Sequence, residues 1–291
     1  MAEEKEAFGD LREAGMLTTT GVQGVGKTYQ NMQLINRYVR DKIQTKVKGR
    51  KVLIYDTNGE YNKEQFEEAG IKDLPVKLIK LEDVEKFAYS NLIEVRRVDA
   101  KSLGGADKKR ILEYLTKYFR NGLLVLEDIN TYVTQIHHME EVVGKLVSLR
   151  HRATDVLLSY QSLRAVEPRI WGNSRWVRMH FQADSVTDVK DKMTNPELFH
   201  IAQILINRRF YDGDERFYLY ITKFGRKVEG AFSSQEFKDA CDRYLRLNKK
   251  IIVQYQTIND CTEKEAYEGQ IDMWYKIYYD NPDKPKTDSK L

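Results

Sequence analysis

The chain has 291 residues, 41% hydrophobic and 32% charged, and its 48 basic against 44 acidic residues give a formal charge of +4. This length fits one decorated domain, and the near balance of charge excludes a polybasic tail, leaving nucleic-acid contact to local patches only. No run of about 18 apolar residues is present, so no membrane span is expected. The N-terminus, Met1-Ala2-Glu3-Glu4-Lys5-Glu6, is too acidic for a signal peptide. Cys241 and Cys261 form no CxxC pair, which disfavours a disulfide framework or a thiolate zinc site and points to a reduced, cytoplasmic protein.

In chain order, Met16–Thr20 predicts a strand ending in the glycine-rich turn Gly21–Gly26. A helix from about Lys27 to Val39 follows, with Met32, Ile35 and Val39 on one face. Lys51–Tyr55 reads as a buried strand ending at Asp56. The mixed pattern between about 63 and 106 reads as an insertion, with short strands near Val76–Ile79 and Ile93–Val98. Asp107 is expected to cap a helix with the stripe Ile111, Leu112, Leu115 and Phe119, and Asn121-Gly122 to stop it. Leu123–Leu126 predicts a strand ending in Glu127-Asp128, followed by a helix from about Met139 to Arg150 and a strand over Asp155–Tyr160.

Val177, Met179 and Phe181 alternate with Arg178 and His180, as in one more strand. Asn195-Pro196 marks a helix start. Phe217–Ile221 is expected to pair with Ile206–Tyr211 in a hairpin through Asp212-Gly213-Asp214. Two closing helices carry capping boxes, Ser233 with Glu236 and Thr262 with Glu265. The polar segment Asn281–Leu291 reads as a disordered tail. This alternation predicts an α/β fold: a core over 1–232, a helical extension over 233–280 and a tail over 281–291.

The segment Gly21-Val22-Gln23-Gly24-Val25-Gly26-Lys27-Thr28 matches G-x-x-x-x-G-K-[ST] and runs on into Tyr29. Its glycines let successive backbone N–H groups turn inward around phosphate oxygens, and the helix start at Lys27 adds a positive dipole end. Lys27 can reach the β- and γ-phosphates, and the Thr28 hydroxyl can ligate Mg²⁺. This pattern calls for a nucleoside triphosphate. A buried strand ending in Glu127-Asp128 places one acid to hold Mg²⁺ and one to orient the attacking water. The usual order in such motors is aspartate then glutamate; here it is reversed. Register assigns the magnesium to Glu127 and the water to Asp128, and the two roles can also exchange.

Asp56-Thr57-Asn58-Gly59-Glu60-Tyr61, directly after the second strand, resembles the D-x-x-G-E-Y element of the HerA and FtsK branch of P-loop ATPases. Ser159-Tyr160-Gln161-Ser162 lies where that superfamily places a glutamine sensing the γ-phosphate. Arg150-His151-Arg152 lies where it supplies an arginine to the neighbouring subunit's nucleotide. The resemblance covers roughly Gly15 to Gln182 and implies a RecA-like P-loop NTPase core with a mostly parallel central sheet flanked by helices, plus the C-terminal hairpin and helices. It also implies ATP and Mg²⁺ as cofactors and a homohexameric ring. Arg150 is the preferred finger and Arg152 the alternate, against the reading that both are solvated helix-terminal cations. Glu60 can tune the water or couple nucleotide state to substrate.

The chain is therefore expected to be a ring-forming ATPase that moves DNA, double-stranded by preference. Its small size and lack of an anchor are similar to the packaging ATPases of tailless viruses, which would place it in a host cytoplasm or with a virion, with a capsid or portal as a further partner. The competing expectation is an ATP-gated assembly or switch protein, of the kind that serves filamentous phages. A small-molecule kinase leaves the D-x-x-G-E-Y element and Gln161 unexplained. Four basic runs are candidate DNA contacts: Lys46 to Lys51, Lys108 to Arg110, Arg164 to Arg178, and Arg208-Arg209. His137-His138 has no ligand partner at metal spacing. Tyr267, Trp274, Tyr275, Tyr278 and Tyr279 are expected to dock the last helix, and Cys241 to be a small buried hydrophobe.

Overall fold

The computed structural model describes residues 14–41, 47–129, 136–222 and 226–279. The N-terminal hexapeptide, Lys46, the side chains of His137 and His138, and the tail 281–291 lie outside the described residues. The chain forms two compact units. One holds the segment up to Thr19, Gly26–Gln161 and Ala165–Ser174; the other holds Thr20–Val25, Ser162–Arg164 and the chain from Arg175 onward.

In the first unit the strands are β1 (Met16–Thr20), β2 (Lys51–Asp56), β3 (Val76–Leu78), β4 (Val95–Asp99), β5 (Gly122–Leu126) and β6 (Thr154–Tyr160), in sheet order β3-β4-β2-β5-β6-β1. The pairs β3 with β4, β4 with β2, β2 with β5 and β5 with β6 are all parallel. Every residue of β1, β2, β5 and β6 is buried. Burial along every position, polar ones such as Thr18–Thr20 and Ser159 included, instead of on alternate positions, is what a sheet covered on both faces shows. The covering helices are α1 (Lys27–Val39), α2 (Lys63–Glu68), α3 (Val84–Tyr89), α4 (Gly105–Tyr118), α5 (Ile136–Ser148) and α6 (Pro168–Asn173). The architecture is the mostly parallel α/β class that the element order predicts.

Two local expectations fail here. Asp107 does not cap α4; the N-cap is Gly104, and Asp107 sits in the first helical turn, where its charge favours the dipole. Asn121 does adopt a left-handed φ of 54°, but α4 has already ended at Tyr118, so the kink opens β5 instead of closing the helix. Lys51, at the start of β2, is only 4% exposed. Its ammonium donates to the carbonyls of Phe87 and Ala88, at 3.0 and 2.8 Å, and to that of Ser90, capping the C-terminal end of α3.

The second unit carries β7 (Ser174–Met179), β8 (Leu219–Thr222) and β9 (Lys227–Glu229), with β8 antiparallel to both neighbours. The expected pairing of Phe217–Ile221 with Ile206–Tyr211 is wrong, because Ile206–Tyr211 is the last part of helix α7 (Pro196–Tyr211). Leu198, Ile201, Ala202, Leu205 and Ile206 recur with helical spacing and are all buried, and Gly213, at φ 99°, follows the helix end rather than turning a hairpin.

Three helices close the unit, not two: α8 (Ser234–Leu247), α9 (Lys249–Asn259) and α10 (Glu263–Trp274). Both predicted capping boxes form. Trp274 and Tyr278 are buried, and Tyr279 stacks on Phe237, so these aromatics dock the last helix as expected. Burial also pushes the Cys241 thiol pKa up, consistent with an inert core cysteine. Among the described residues no helix is long and apolar enough to cross a membrane.

Candidate functional site

Parallel pairing in register aligns the carboxyl ends of β2, β5 and β6, with Tyr55 opposite Leu126 and Leu126 opposite Leu158. Residues just beyond those ends therefore converge, the place where open α/β sheets bind ligands. The segment after β2 is held by one carboxylate. Asp56, fully buried, accepts the backbone N–H groups of Asn58, Gly59, Glu60 and Tyr61 at 2.7–3.3 Å. The same carboxylate takes the Arg97 guanidinium of β4 at 2.9 Å. Gly59, at φ 77°, supplies the left-handed residue this wrap needs.

From that loop Glu60 reaches α1, where Thr28 Oγ1 donates to its Oε2 at 2.8 Å. Asn58 reaches β5, donating its amide to Asp128 Oδ2 at 3.1 Å. The Gln161 amide, at the end of β6, donates to the same oxygen at 3.0 Å. Asp128 is half-buried and holds a φ of 43°, a conformation with an energetic cost that recurs where a side chain must be aimed.

Glu127, one residue earlier, faces the other way. It is 4% exposed, and its Oε1 accepts the Asn31 amide at 2.7 Å and the Tyr61 hydroxyl. Asn31, fully buried on α1, also donates to Ser159 Oγ at 3.0 Å. Burial pushes the Glu127 carboxyl above the usual carboxylate range; the Asp128 charge adds to this, and hydrogen bonds from Tyr61, Asn31 and Ser159 oppose it. Burial, with Glu127 beside it, holds the Tyr61 phenol far above its ordinary value, so it remains a donor.

In the first unit Gly26 is the left-handed N-cap of α1, at φ 85°, and Lys27 and Thr28 open that helix. In the second unit the segment Thr20–Val25 is bound to residues following β7. Val22 N–H donates to the Phe181 carbonyl at 3.0 Å, and a His180 ring nitrogen lies 3.1 Å from the Val25 carbonyl. A Cβ on Gly21 would stand 2.7 Å from His180 Cβ, so only glycine fits there. Gln23, Gly24 and Tyr29 are exposed.

The candidate arginines part company. Arg152 donates to the carbonyls of Thr116 and Lys117, at 3.1 and 2.6 Å, capping the end of α4. Arg150 is exposed, and among the described residues its guanidinium has no hydrogen-bond or ion-pair partner. The basic runs are largely engaged within the chain: Lys48 with Asp41, Lys109 with Glu113, Arg164 with Asp188, Arg208 with Asp239 and Arg209 with Glu236.

Asn31, Asn58, Tyr61, Ser159 and Arg97 carry roles that no separate sequence signal assigned. A fully buried asparagine on the apolar face of α1, beside Met32 and Ile35, was the one available hint. Among the described residues no three His, Cys, Asp or Glu side chains converge as a metal-binding group.

No protein-family model matches the sequence, and no curated protein matches it. Among solved structures the chain is similar to the genome packaging NTPase B204 from Sulfolobus turreted icosahedral virus 2 in complex with ATP-gammaS. The identity is 13% and the TM-score 0.49, over 75% of this chain and 97% of that one. It is similar to B204, the DNA-packaging ATPase from Sulfolobus turreted icosahedral virus, at 11% identity and a TM-score of 0.48, over 75% and 97% of the two chains. The N-terminal domain of zonular occludens toxin from Neisseria meningitidis matches at 15% identity and a TM-score of 0.31, over 59% of this chain and 79% of that one.

Proposed function

We propose that the protein is a P-loop ATPase and that it works as a ring-forming motor moving double-stranded DNA, in the manner of a viral genome-packaging enzyme. One observation carries the ATPase reading. Asp128, beyond the end of β5, is aimed by amides from two other elements, Asn58 and Gln161, while Glu60 meets Thr28 at the start of α1. A carboxylate aimed by two amides in this way can take a proton from a water attacking the γ-phosphate.

In this reading Gly21–Thr28 cradles the phosphates and Lys27 neutralises their charge, with Tyr29 following on the first turn of α1. Gln161 senses the terminal phosphate through the oxygen it shares with Asn58. Arg150 serves a neighbouring subunit, since its side chain has no described partner of its own, whereas Arg152 is committed to α4. The available donors, a threonine hydroxyl and carboxylates, are hard oxygens suited to Mg²⁺, which usually completes its shell with water and substrate phosphates. When bound, Mg²⁺ supplies charge neutralisation at the phosphates.

A second reading, an ATP-gated assembly or switch protein, is favoured by the ion pairs that occupy most of the basic runs. Steady-state ATPase activity with and without double-stranded DNA, at low and moderate salt, separates the two. Salt-sensitive stimulation supports the motor; activity indifferent to DNA supports the switch. Lys27→Ala should abolish turnover in either case, and wild-type turnover in that variant would sink the site.

A further inference from the structure

We propose that Glu60, and not Glu127, is the acid that shares the nucleotide's Mg²⁺ site with Thr28; this rests on the nucleotide-binding reading above. Strand register alone favours Glu127, because it stands directly at the end of β5. Its surroundings argue otherwise. The Glu127 carboxylate is 4% exposed and accepts from an asparagine amide and a tyrosine hydroxyl, both neutral donors fixed in the interior. Its backbone carbonyl is also engaged, by Thr57 Oγ1 at 3.4 Å. Such a carboxylate joins β5, α1 and the β2 loop from behind the site.

Glu60 has the opposite character. It is half-buried, and its Oε2 lies 2.8 Å from Thr28 Oγ1. A hydroxyl that donates its single proton to a carboxylate keeps its lone pairs for a cation. The bond therefore aims Thr28 as a ligand and places a negative charge beside it. The loop bearing Glu60 is preorganised, since Asp56 binds four consecutive N–H groups and Arg97. Such support is what fixes ligands in working metal sites.

The test uses Mn²⁺ as a paramagnetic substitute, titrated by electron paramagnetic resonance into the full chain loaded with a non-hydrolysable ATP analogue. Glu60→Gln should weaken Mn²⁺ binding by about 10–100-fold without changing affinity for the analogue in EDTA, whereas Glu127→Gln should leave Mn²⁺ affinity unchanged. The proposal is overturned if Glu60→Gln binds Mn²⁺ like wild type, or if Glu127→Gln alone loses it. Should Glu127→Gln fail to fold, Glu60→Gln decides by itself. A wild-type protein that fails to bind the analogue in EDTA is a different result and sinks the nucleotide reading along with this one.

Discussion

Glu127 and Asp128 are adjacent in the chain, one methylene apart in chemistry, and stand in opposite surroundings. Glu127 is enclosed by α1, Tyr61 and β6, accepts from the uncharged side chains of Asn31 and Tyr61, and its proton affinity is raised. Asp128 is half-buried, turned outward by a left-handed backbone, and met by two amides from surface elements. Environment, rather than residue type, separates a carboxylate that holds structure from one that can do chemistry. A reversed acidic pair is thus compatible with an ordinary division of labour.

Within the acidic pair the larger effect should come from Asp128→Asn. Turnover is expected to fall by about 10²–10⁴-fold, the range of general-base catalysis, with nucleotide affinity retained; steady-state kinetics and equilibrium binding check both halves. Wild-type turnover in this variant would dissolve the contrast with Glu127. Next is Asp56→Ala, which removes the acceptor for four N–H groups and the buried partner of Arg97, leaving that guanidinium to the more exposed Asp99 at 3.5 Å. Breaking such a buried pair costs about 3–5 kcal/mol, to be read from the urea midpoint at constant slope.

A gentler probe is the pH dependence of stability. The pKa of Glu127 is higher folded than unfolded, so its contribution to stability is fully present below the ordinary carboxylate range and is lost as pH rises through the folded value. Glu127→Gln should flatten that decline, and an unchanged profile would place the titration elsewhere. Lys51 gives a smaller and opposite signature at the amino end of β2. Burial, with Arg50 nearby, lowers its pKa to about 8, so its contribution to stability grows as pH rises from about 8 towards the ordinary lysine value. Lys51→Met should remove that slope in the same denaturation series. The smallest effect concerns assembly: Arg150→Ala subunits mixed with wild type should depress activity beyond proportional dilution if the arginine acts in trans.

The first half of the chain was legible where chemistry is written in consecutive residues. Met16–Thr20, Lys27–Val39 and the strand ending at Asp56 appear at their expected positions, because each is a short apolar or β-branched run or a helix opened by glycine. The role of Asp56 was not legible, since it depends on Arg97, 41 residues away on β4. Glu127 could not be distinguished from Asp128 for the same reason: Asn31, Tyr61 and Ser159 come from three other elements. The mistaken hairpin has a local cause. Asp212-Gly213 suits a strand turn and a helix end equally, and the helical spacing of Leu198 to Ile206 was the signal that should have decided. Helix α9 was missed because its N-cap side chain, Asn248, makes no capping hydrogen bond.

The Asp56 wrap also fixes a length. One carboxylate counts off Asn58, Gly59, Glu60 and Tyr61 by their N–H groups, so Glu60 meets Thr28 and Asn58 meets Asp128 only when four residues separate Asp56 from Tyr61. A single-residue insertion or deletion there would shift both side chains out of register at once, even if composition were preserved. Across divergent homologues this stretch should behave as a ruler, intolerant of any change in spacing.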